Sequence, residues 1–385
     1  MLYYYANRFT EAPKTIDDQK MKIKITNSII AAAASCGLAQ AQTTDYSTPL
    51  GYVNLTIPAS SDSTITPSLE RSPLLKTSTT GVSGNVVSAA GLTAGAFVAP
   101  QCYLQVVTCA ATPGLVGKRF AIDSNTTGTI TVDGGASTLQ AQGFANGDTF
   151  KVIPYWTLAT LFPAGAGVGS TSDVFAIDSF LYVVDNGSYG VNKASSASYF
   201  YCSGDEGNGV AAGWYDANDP FGASADDLVI DPTIMYMIRN GSAVANTLTV
   251  TGQVPDVKSL ALVPVSTELN DVNLAVALPT DVSLQNSGLQ SVVQGTSDVF
   301  TIDELVYVYD DEGAGQNKAA SAIYFYCSGD EGNGVAAGWY DANDAFGAPV
   351  TGAVLKAGRC ITIRKSSYAS NDILDWSLAL PYSTN

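Results

Sequence analysis

A glycine-rich segment with carboxylates and amides occurs twice in this 385-residue chain and holds the residues best suited to chemistry. Ser203–Gly209 with Trp214–Asp219 forms the first copy, and Ser328–Gly334 with Trp339–Asp344 forms the second. Oxygen ligands on a flexible glycine-rich loop are typical of calcium sites. The sequence therefore predicts a candidate calcium site in each copy, with the ligands Asp205, Glu206, Asp216, Asn218, Asp219 and Asp330, Glu331, Asp341, Asn343, Asp344. Solvated hairpin loops are the alternative, because the D-x-D-x-D-G spacing of a calcium loop is missing and Asx and Gly residues also form ordinary turns.

Aromatic side chains accompany these loops. Exposed Trp and Tyr rings beside Asp and Asn can stack on sugars and hydrogen-bond their hydroxyl groups, and two copies would add avidity toward a polysaccharide. The residues of this candidate glycan site are Tyr199, Tyr201, Trp214, Tyr215, Tyr324, Tyr326, Trp339 and Tyr340. The alternative is that Trp214 and Trp339 are core residues of a β-sandwich.

Catalytic chemistry is poorly represented. Histidine is absent, which excludes Ser-His-Asp and Cys-His pairs and His-ligated metals. A glycosidase needs two carboxylates about 5–9.5 Å apart. Glu206 with Asp216, and Glu331 with Asp341, are the pairs that the sequence offers. Because a whole active site is seldom duplicated in one chain, the sequence predicts a protein that is not an enzyme.

Five of the six cysteines follow residue 41: Cys102, Cys109, Cys202, Cys327 and Cys360. An odd count leaves at least one thiol without an intramolecular partner. Cys327–Cys360 is the candidate disulfide, and buried reduced cysteine is the alternative.

The largest feature of the chain is an internal repeat with a period of 125 residues. Thr171–Asp219 and Thr296–Asp344 share 37 of 49 positions without a gap, and Tyr199–Asp219 is repeated without change. Matches at the same offset predict repeat units over 148–255 and 273–380, each of domain size. Residues 42–147 form the predicted N-terminal domain.

The first 41 residues resemble a secretory leader with an extension in front. Met21–Ala41 combines Lys22 and Lys24, an apolar stretch and an Ala-Gln-Ala cleavage site, so 21–41 is the predicted signal peptide and 1–20 a mis-assigned upstream extension. Export to the extracellular space or outer cell surface is expected, with the periplasm as the alternative. Removing 1–41 takes away five basic and three acidic residues, which changes the net charge from -17 to -19.

Local patterns indicate strands almost throughout. Phe180–Asp185, Ala197–Cys202 and Ile234–Arg239 are rich in β-branched and aromatic residues and are separated by Gly, Asn and Asp turns. Only Ser259–Val265 and Leu284–Val293 leave room for a turn of helix. The predicted fold class is all-β, with tandem β-sandwich or jelly-roll-like domains and an internal duplication.

Several segments resemble a family of secreted, β-rich proteins from Verrucomicrobia. They are Gly51–Pro58, Ile153–Pro163, the Ser172–Asp178 strand and the late strands around Ile238–Asn240 and Ile363–Lys365. The resemblance implies export and a β-rich body, and it implies no catalytic residues.

Charge and composition limit the partners. A chain of net charge -17 without a basic stripe is not expected to bind nucleic acid, and no apolar run reaches the ~20 residues of a membrane span. We expect a secreted, non-catalytic structural or surface-interaction protein of the cell envelope, a matrix or an appendage, which binds itself or other surface components. Glycan binding through the repeated Trp, Tyr and Asp loops is the alternative. Calcium is the candidate cofactor.

Overall fold

The computed structural model describes residues 49–382 with the exception of Ala136 and Glu331. The predicted segments 1–20 and 21–41 lie outside these residues. Strands in the described part form three large sheets and four two-stranded sheets. The all-β, sandwich-like fold class is thereby confirmed.

A five-stranded antiparallel sheet forms the centre of the first half. Its strands are β2 (Ser61–Ile65), β11 (Phe180–Val184), β12 (Ser195–Cys202), β13 (Gly213–Asp216) and β15 (Tyr236–Asn240), in the order β13-β12-β11-β15-β2. Successive side chains of a strand point to opposite faces. Leu181 therefore packs into the hydrophobic core, whereas its neighbour Tyr182 lines a cleft on the other face.

A second five-stranded sheet repeats this order. Its strands are β18 (Asn270–Ala275), β20 (Leu305–Val308), β21 (Ala322–Cys327), β22 (Gly338–Asp341) and β24 (Cys360–Lys365), in the order β18-β24-β20-β21-β22. Pairing is equivalent at the offset of 125: Tyr199 lies opposite Asp216, and Tyr324 lies opposite Asp341. The outer strands β2 and β18 occupy equivalent places in the two sheets but depart from this offset, because they begin 209 residues apart, at Ser61 and Asn270.

Two-stranded sheets accompany each five-stranded sheet in equivalent positions. The first half has β1 (Leu50–Ile57) with β16 (Asn246–Gln253), and β10 (Trp156–Thr157) with β14 (Val229–Ile230). The second half has β17 (Ser259–Val265) with β25 (Asp372–Leu378), and β19 (Val282–Ser283) with β23 (Val354–Leu355). Side chains of β1 and β16 meet those of the first large sheet in one core, and β17 and β25 do the same for the second. Each half is thus a sandwich.

A seven-stranded sheet with its own core lies in the chain between β2 and β10. Its order is β3-β9-β6-β7-β8-β5-β4, and its strands are β3 (Leu75–Ser78), β4 (Gly81–Ser83), β5 (Val86–Ser88), β6 (Cys102–Thr108), β7 (Arg119–Asn125), β8 (Thr129–Val132) and β9 (Thr149–Pro154). Lys151 of β9 ties this inserted sheet to its neighbours, because its buried Nζ lies 2.9 Å from Glu70 Oε2 and 2.6 Å from Asp256 Oδ1.

In the described part of the chain, helical structure is limited to single turns. The α-helix α1 covers Leu158–Leu161, and 3-10 turns cover Pro113–Leu115, Pro163–Gly165, Leu284–Asn286 and Leu289–Ser291. Of the two stretches left open for helix, Ser259–Val265 is strand β17 and Leu284–Val293 holds two of the 3-10 turns. Among the described residues, none of the helices has the length and apolar character needed to cross a membrane.

Strand pairing crosses the domain boundaries expected from the sequence. Strands β1 and β2 fall within the predicted N-terminal domain 42–147, yet they pair with β16 and β15 of the first repeat unit. Strand β9 falls within the predicted unit 148–255, yet it pairs with β3 and β6 of the inserted sheet. We therefore define module 1 as residues 50–70 with 155–253, and module 2 as residues 259–378.

Candidate functional site

Asp205 and Asp330, two of the predicted calcium ligands, organise the repeated loops through hydrogen bonds. Asp205 Oδ2 accepts from the Val174 amide at 3.1 Å and from Asn208 Nδ2 at 2.9 Å, and Oδ1 accepts from the Asn208 amide at 3.1 Å. Asp330 accepts the equivalent bonds from Val299 and Asn333. The Asn208 side chain and then the Val174 amide lower the pKa of Asp205. Both carboxylates are therefore ionised and engaged by their own chain.

The other predicted calcium ligands do not converge. Asp216 Oδ1 accepts from the Asn218 amide at 2.8 Å, and Asp341 does the same for Asn343, so these carboxylates close Asx turns. Glu206, Asp219 and Asp344 are exposed, and Glu331 lies outside the described residues. In the part of the chain that the structure describes, no three carboxylate or thiol side chains come together as metal ligands would. The arrangement matches the alternative of solvated hairpin loops.

The predicted glycan-stacking tryptophans are core residues, which corrects the expectation that they are exposed. Trp214 is 0% exposed and Trp339 is 3% exposed. Trp214 Nε1 donates to the Phe162 carbonyl at 3.3 Å, and each indole packs edge-on against a tyrosine, Tyr201 or Tyr326. Neither ring can stack on a sugar in this fold.

The remaining aromatic residues of that candidate site are likewise committed to packing. Tyr215 and Tyr340 are buried, and their hydroxyls donate to the carbonyls of Ala211 and Ala336 at 3.1 and 3.0 Å. Four further tyrosines are half-buried beside the cores: Tyr199, Tyr201, Tyr324 and Tyr326.

The predicted disulfide Cys327–Cys360 is not formed, so this prediction is wrong. Cys327 packs with Phe325 in one small cluster, and Cys360 packs with Met235 in another. Both thiols are free and buried, and the Cys360 thiol donates to the Ile65 carbonyl at 3.2 Å. Burial raises the pKa of Cys360 far above its usual value, which keeps this thiol protonated.

Exposed phenylalanine pairs occur at equivalent places in the two modules, and the sequence reasoning missed them. Phe175 is 74% exposed and Phe221 is 55% exposed, with ring centroids 5.8 Å apart. Phe300 and Phe346 repeat this arrangement at 73% and 56% exposure and 5.2 Å. We call these two contacts the Phe pairs. The signal in the sequence was that each Phe recurs 125 residues later, Phe175 at Phe300 and Phe221 at Phe346, among turn-forming residues.

Hydrogen bonds fix the backbone at one member of each Phe pair. Asp173 Oδ1 accepts from the Phe175 amide at 2.9 Å, and Asp298 does the same for Phe300. The adjacent residue Val174 is buried, and Asp205 anchors its amide. Asp205 therefore positions the exposed Phe175 through Val174, a role different from the predicted metal ligation.

Carboxylates flank the Phe pairs along the chain. Asp173 and Asp298 lie two residues before Phe175 and Phe300, and Asp219 and Asp344 lie two residues before Phe221 and Phe346. Asp173, Asp219, Asp298 and Asp344 are exposed, and none of them forms an ion pair with another described residue. Each Phe pair is thus an apolar contact surface with an acidic rim.

A scan against models of protein families, a search of curated proteins and a search of solved structures found no match. The resemblance to the Verrucomicrobia proteins stays a prediction.

Proposed function

We propose that this protein is an exported, non-catalytic structural component of a cell envelope, matrix or appendage, and that its copies bind one another through the Phe pairs. The observation that carries the proposal is the exposure of the same two aromatic rings in both modules. A scattered exposed apolar residue needs no explanation, but a contiguous patch with a polar rim is typical of an interaction site.

The number of patches supports assembly. Burying an exposed Phe side chain contributes about 1.5–3 kcal/mol, so the contact of one Phe pair with another gains several kcal/mol before the entropic cost of association is subtracted. A protomer with two such patches can bind two others, and repeated contacts then build an open chain. This geometry suits a building role.

The acidic rim sets the conditions for assembly. Two rims that meet carry like charges and repel one another. Salt screens exposed charges over about 10 Å at 0.1 M ionic strength. We therefore expect association to strengthen as the NaCl concentration rises.

Light scattering on size-separated protein tests the proposal. The wild-type protein is expected to form oligomers larger than dimers as its concentration rises. The double variant Phe175→Ser with Phe221→Ser keeps one patch and should stop at dimers, and the variant that also carries Phe300→Ser and Phe346→Ser should stay monomeric. Tyr52→Ser is the matched control, because Tyr52 is 71% exposed and lies outside the Phe pairs. The proposal fails if the wild-type protein stays monomeric at every salt concentration, or if the fourfold variant assembles as the wild type does.

Glycan binding through the repeated loops has weaker support, since Trp214 and Trp339 are buried.

A further inference from the structure

A cleft of about 590 Å³ opens between the two five-stranded sheets, on the faces opposite their hydrophobic cores. Residues that are equivalent in the two modules line it from both sides. Three such pairs are Tyr182 with Tyr307, Arg239 with Arg364, and Lys193 with Lys318. The cleft therefore has two chemically similar walls.

Reciprocal ion pairs build these walls. Arg239 Nε and Nη2 each lie 2.8 Å from a carboxylate oxygen of Asp62, and Nη2 also donates to Asn317 Oδ1 of module 2 at 2.8 Å. In the opposite sense, Arg364 binds Asp271 at 2.8 and 2.9 Å and donates to Asn192 Oδ1 of module 1 at 3.1 Å. The backbone amides of Asn317 and Asn192 donate to Asp62 and Asp271, respectively.

These contacts occupy the side-chain oxygens of Asn192 and Asn317 and leave their side-chain NH2 groups as donors for a ligand. The Oδ1 atoms of Asn192 and Asn317 accept from arginine, whereas their Nδ2 groups bind no other described residue. Each Asn is exposed at the rim of the cleft. A ligand at this rim would have to supply acceptors.

Two lysine ammonium groups increase the surplus of donors. Lys193 Nζ donates to the Ser188 carbonyl at 2.8 Å and to Asn270 Oδ1 at 3.4 Å. Lys318 Nζ donates to the carbonyls of Asp310 and Gly313 at 2.5 and 2.6 Å, so each ammonium group keeps one N–H for a ligand. These acceptors are neutral, and neither lysine lies within 4.0 Å of a carboxylate of the described residues. The rim thus carries two positive charges without an ion-pair partner in a chain of net charge -17. The third carboxylate that lines the cleft, Asp311, is buried, and both of its oxygens accept hydrogen bonds from Thr64.

We propose that the cleft binds a carboxylated sugar unit of an acidic oligosaccharide. The ammonium groups of Lys193 and Lys318 bind carboxylates, and the Asn192 and Asn317 amide groups donate to the sugar oxygens. Tyr182 and Tyr307 also line the cleft, and the guanidinium carbons of Arg239 and Arg364 lie 5.4 and 5.1 Å from their ring centroids. The volume lies within the range of about 300–1,000 Å³ that is usual for small-ligand sites. The site uses none of the Phe-pair residues, so it stands or falls independently of the proposed assembly.

Calorimetric titration with trigalacturonate tests this inference, with a neutral trisaccharide and inorganic sulfate as competing probes. We expect trigalacturonate to bind the wild-type protein, and the affinity to fall as salt rises. Lys193→Gln combined with Lys318→Gln should weaken binding about tenfold or more, because two charge-assisted hydrogen bonds are lost. The corresponding double Lys→Arg variant should retain most of the affinity, since it keeps both charges.

Lys356→Gln is the matched control, because Lys356 is an exposed lysine of module 2 outside the cleft. Unchanged melting temperatures of the lysine variants would show that their folds are intact. Three results would overturn the proposal: no binding of trigalacturonate, equal binding of the neutral trisaccharide, or binding of sulfate with the same affinity as trigalacturonate. Loss of affinity in Lys356→Gln equal to that of the double Gln variant would also overturn it.

Discussion

Module 1 and module 2 use the same strand register but place different polar groups on their central strands. In module 2, Lys365 of β24 forms an ion pair with Glu304, and both side chains are 0% exposed. The equivalent residues of module 1 are Asn240 and Ser179, which are neutral. Asn240 donates to the Pro58 carbonyl, and the Ser179 hydroxyl donates to Asp178 and accepts from the Gly241 amide. One sandwich therefore contains a buried ion pair where the other has two neutral side chains.

Differences also occur at the cleft, which Asp311 lines, although the Asp–Arg–Asn contacts of the cleft are shared. Asp311 of module 2 occupies the position of Asn186 in module 1, and Arg359 occupies that of Ile234. In contrast, the Asp–Arg–Asn contacts that join the modules are the same in both directions. Asp311 and Arg359 nevertheless bind Thr64 of module 1. Contacts between the modules are therefore of two kinds: the Asp–Arg–Asn contacts use the same residue types in both directions, whereas the Asp311 and Arg359 contacts use residue types that occur in one direction only.

Breaking the buried ion pair should have the largest effect on stability. Lys365→Met leaves Glu304 buried without a cation, and such a change costs about 3–5 kcal/mol. Glu304→Gln combined with Lys365→Met removes both charges and should restore most of that loss. The Gln oxygen can accept from the Gln294 backbone amide, and the Gln NH2 group can donate to the Tyr368 hydroxyl, which then accepts where it donates to Glu304 in the wild type. The free energy of unfolding in urea measures both. A double variant as unstable as Lys365→Met would contradict this account.

Removing either cleft arginine should have an intermediate effect, and an equal one in the two modules. Arg239→Met and Arg364→Met each abolish a bidentate charged contact, worth about 1.5–3 kcal/mol. Urea unfolding of the two variants checks the equality, and a large difference between them would show that the two contacts are not energetically equivalent.

The Arg239 contact also predicts a pH dependence. Burial raises the pKa of Asp62, but the Arg239 hydrogen bonds and charge and the Asn317 amide outweigh burial, so this pKa lies below 3.8. The contribution of the contact is therefore complete above pH 3.8 and is lost as the pH falls through the folded-state pKa. The difference in melting temperature between wild type and Arg239→Met should shrink in that acidic range.

Replacing Asp311 by Asn, the residue that module 1 has at the equivalent position 186, should have the smallest effect on stability. Burial raises the pKa of Asp311 despite the opposing influence of Arg359 and Thr64. A raised pKa means that stability falls as the pH rises from the unfolded value through the folded one. Asp311→Asn should therefore stabilise the protein at neutral pH, by less than about 1 kcal/mol, and change little in acid.

The reverse exchange provides the control. Asn186 Nδ2 donates to the Asn273 carbonyl at 2.6 Å, so Asn186→Asp places a carboxylate oxygen against that carbonyl and should destabilise the protein. Melting curves at neutral and acidic pH distinguish the two variants. Destabilisation of both variants at neutral pH would contradict the proposed burial cost of Asp311.

Sequence reasoning reached the fold class because its evidence is local. The β-branched and aromatic runs at Phe180–Asp185 and Ala197–Cys202 coincide with β11 and β12. It did not decide whether Trp214 is exposed or buried, because a strand pattern does not say which of its two faces another layer covers. It also did not predict which groups Asp205 binds. Asp205 illustrates the limit: its partner Val174 lies 31 residues away along the chain.

The sequence by itself determined the repeat of 125 residues, the strand-rich composition and, through the absence of histidine, the exclusion of several kinds of catalysis. Only the tertiary structure decided that β1 and β2 complete module 1 and that the tryptophans are buried. It also placed Asp62 against Arg239, 177 residues away, and opened a cleft between the modules. The physical reason is that strand propensity is local, whereas strand pairing and the burial of a face depend on segments that the intervening chain brings together.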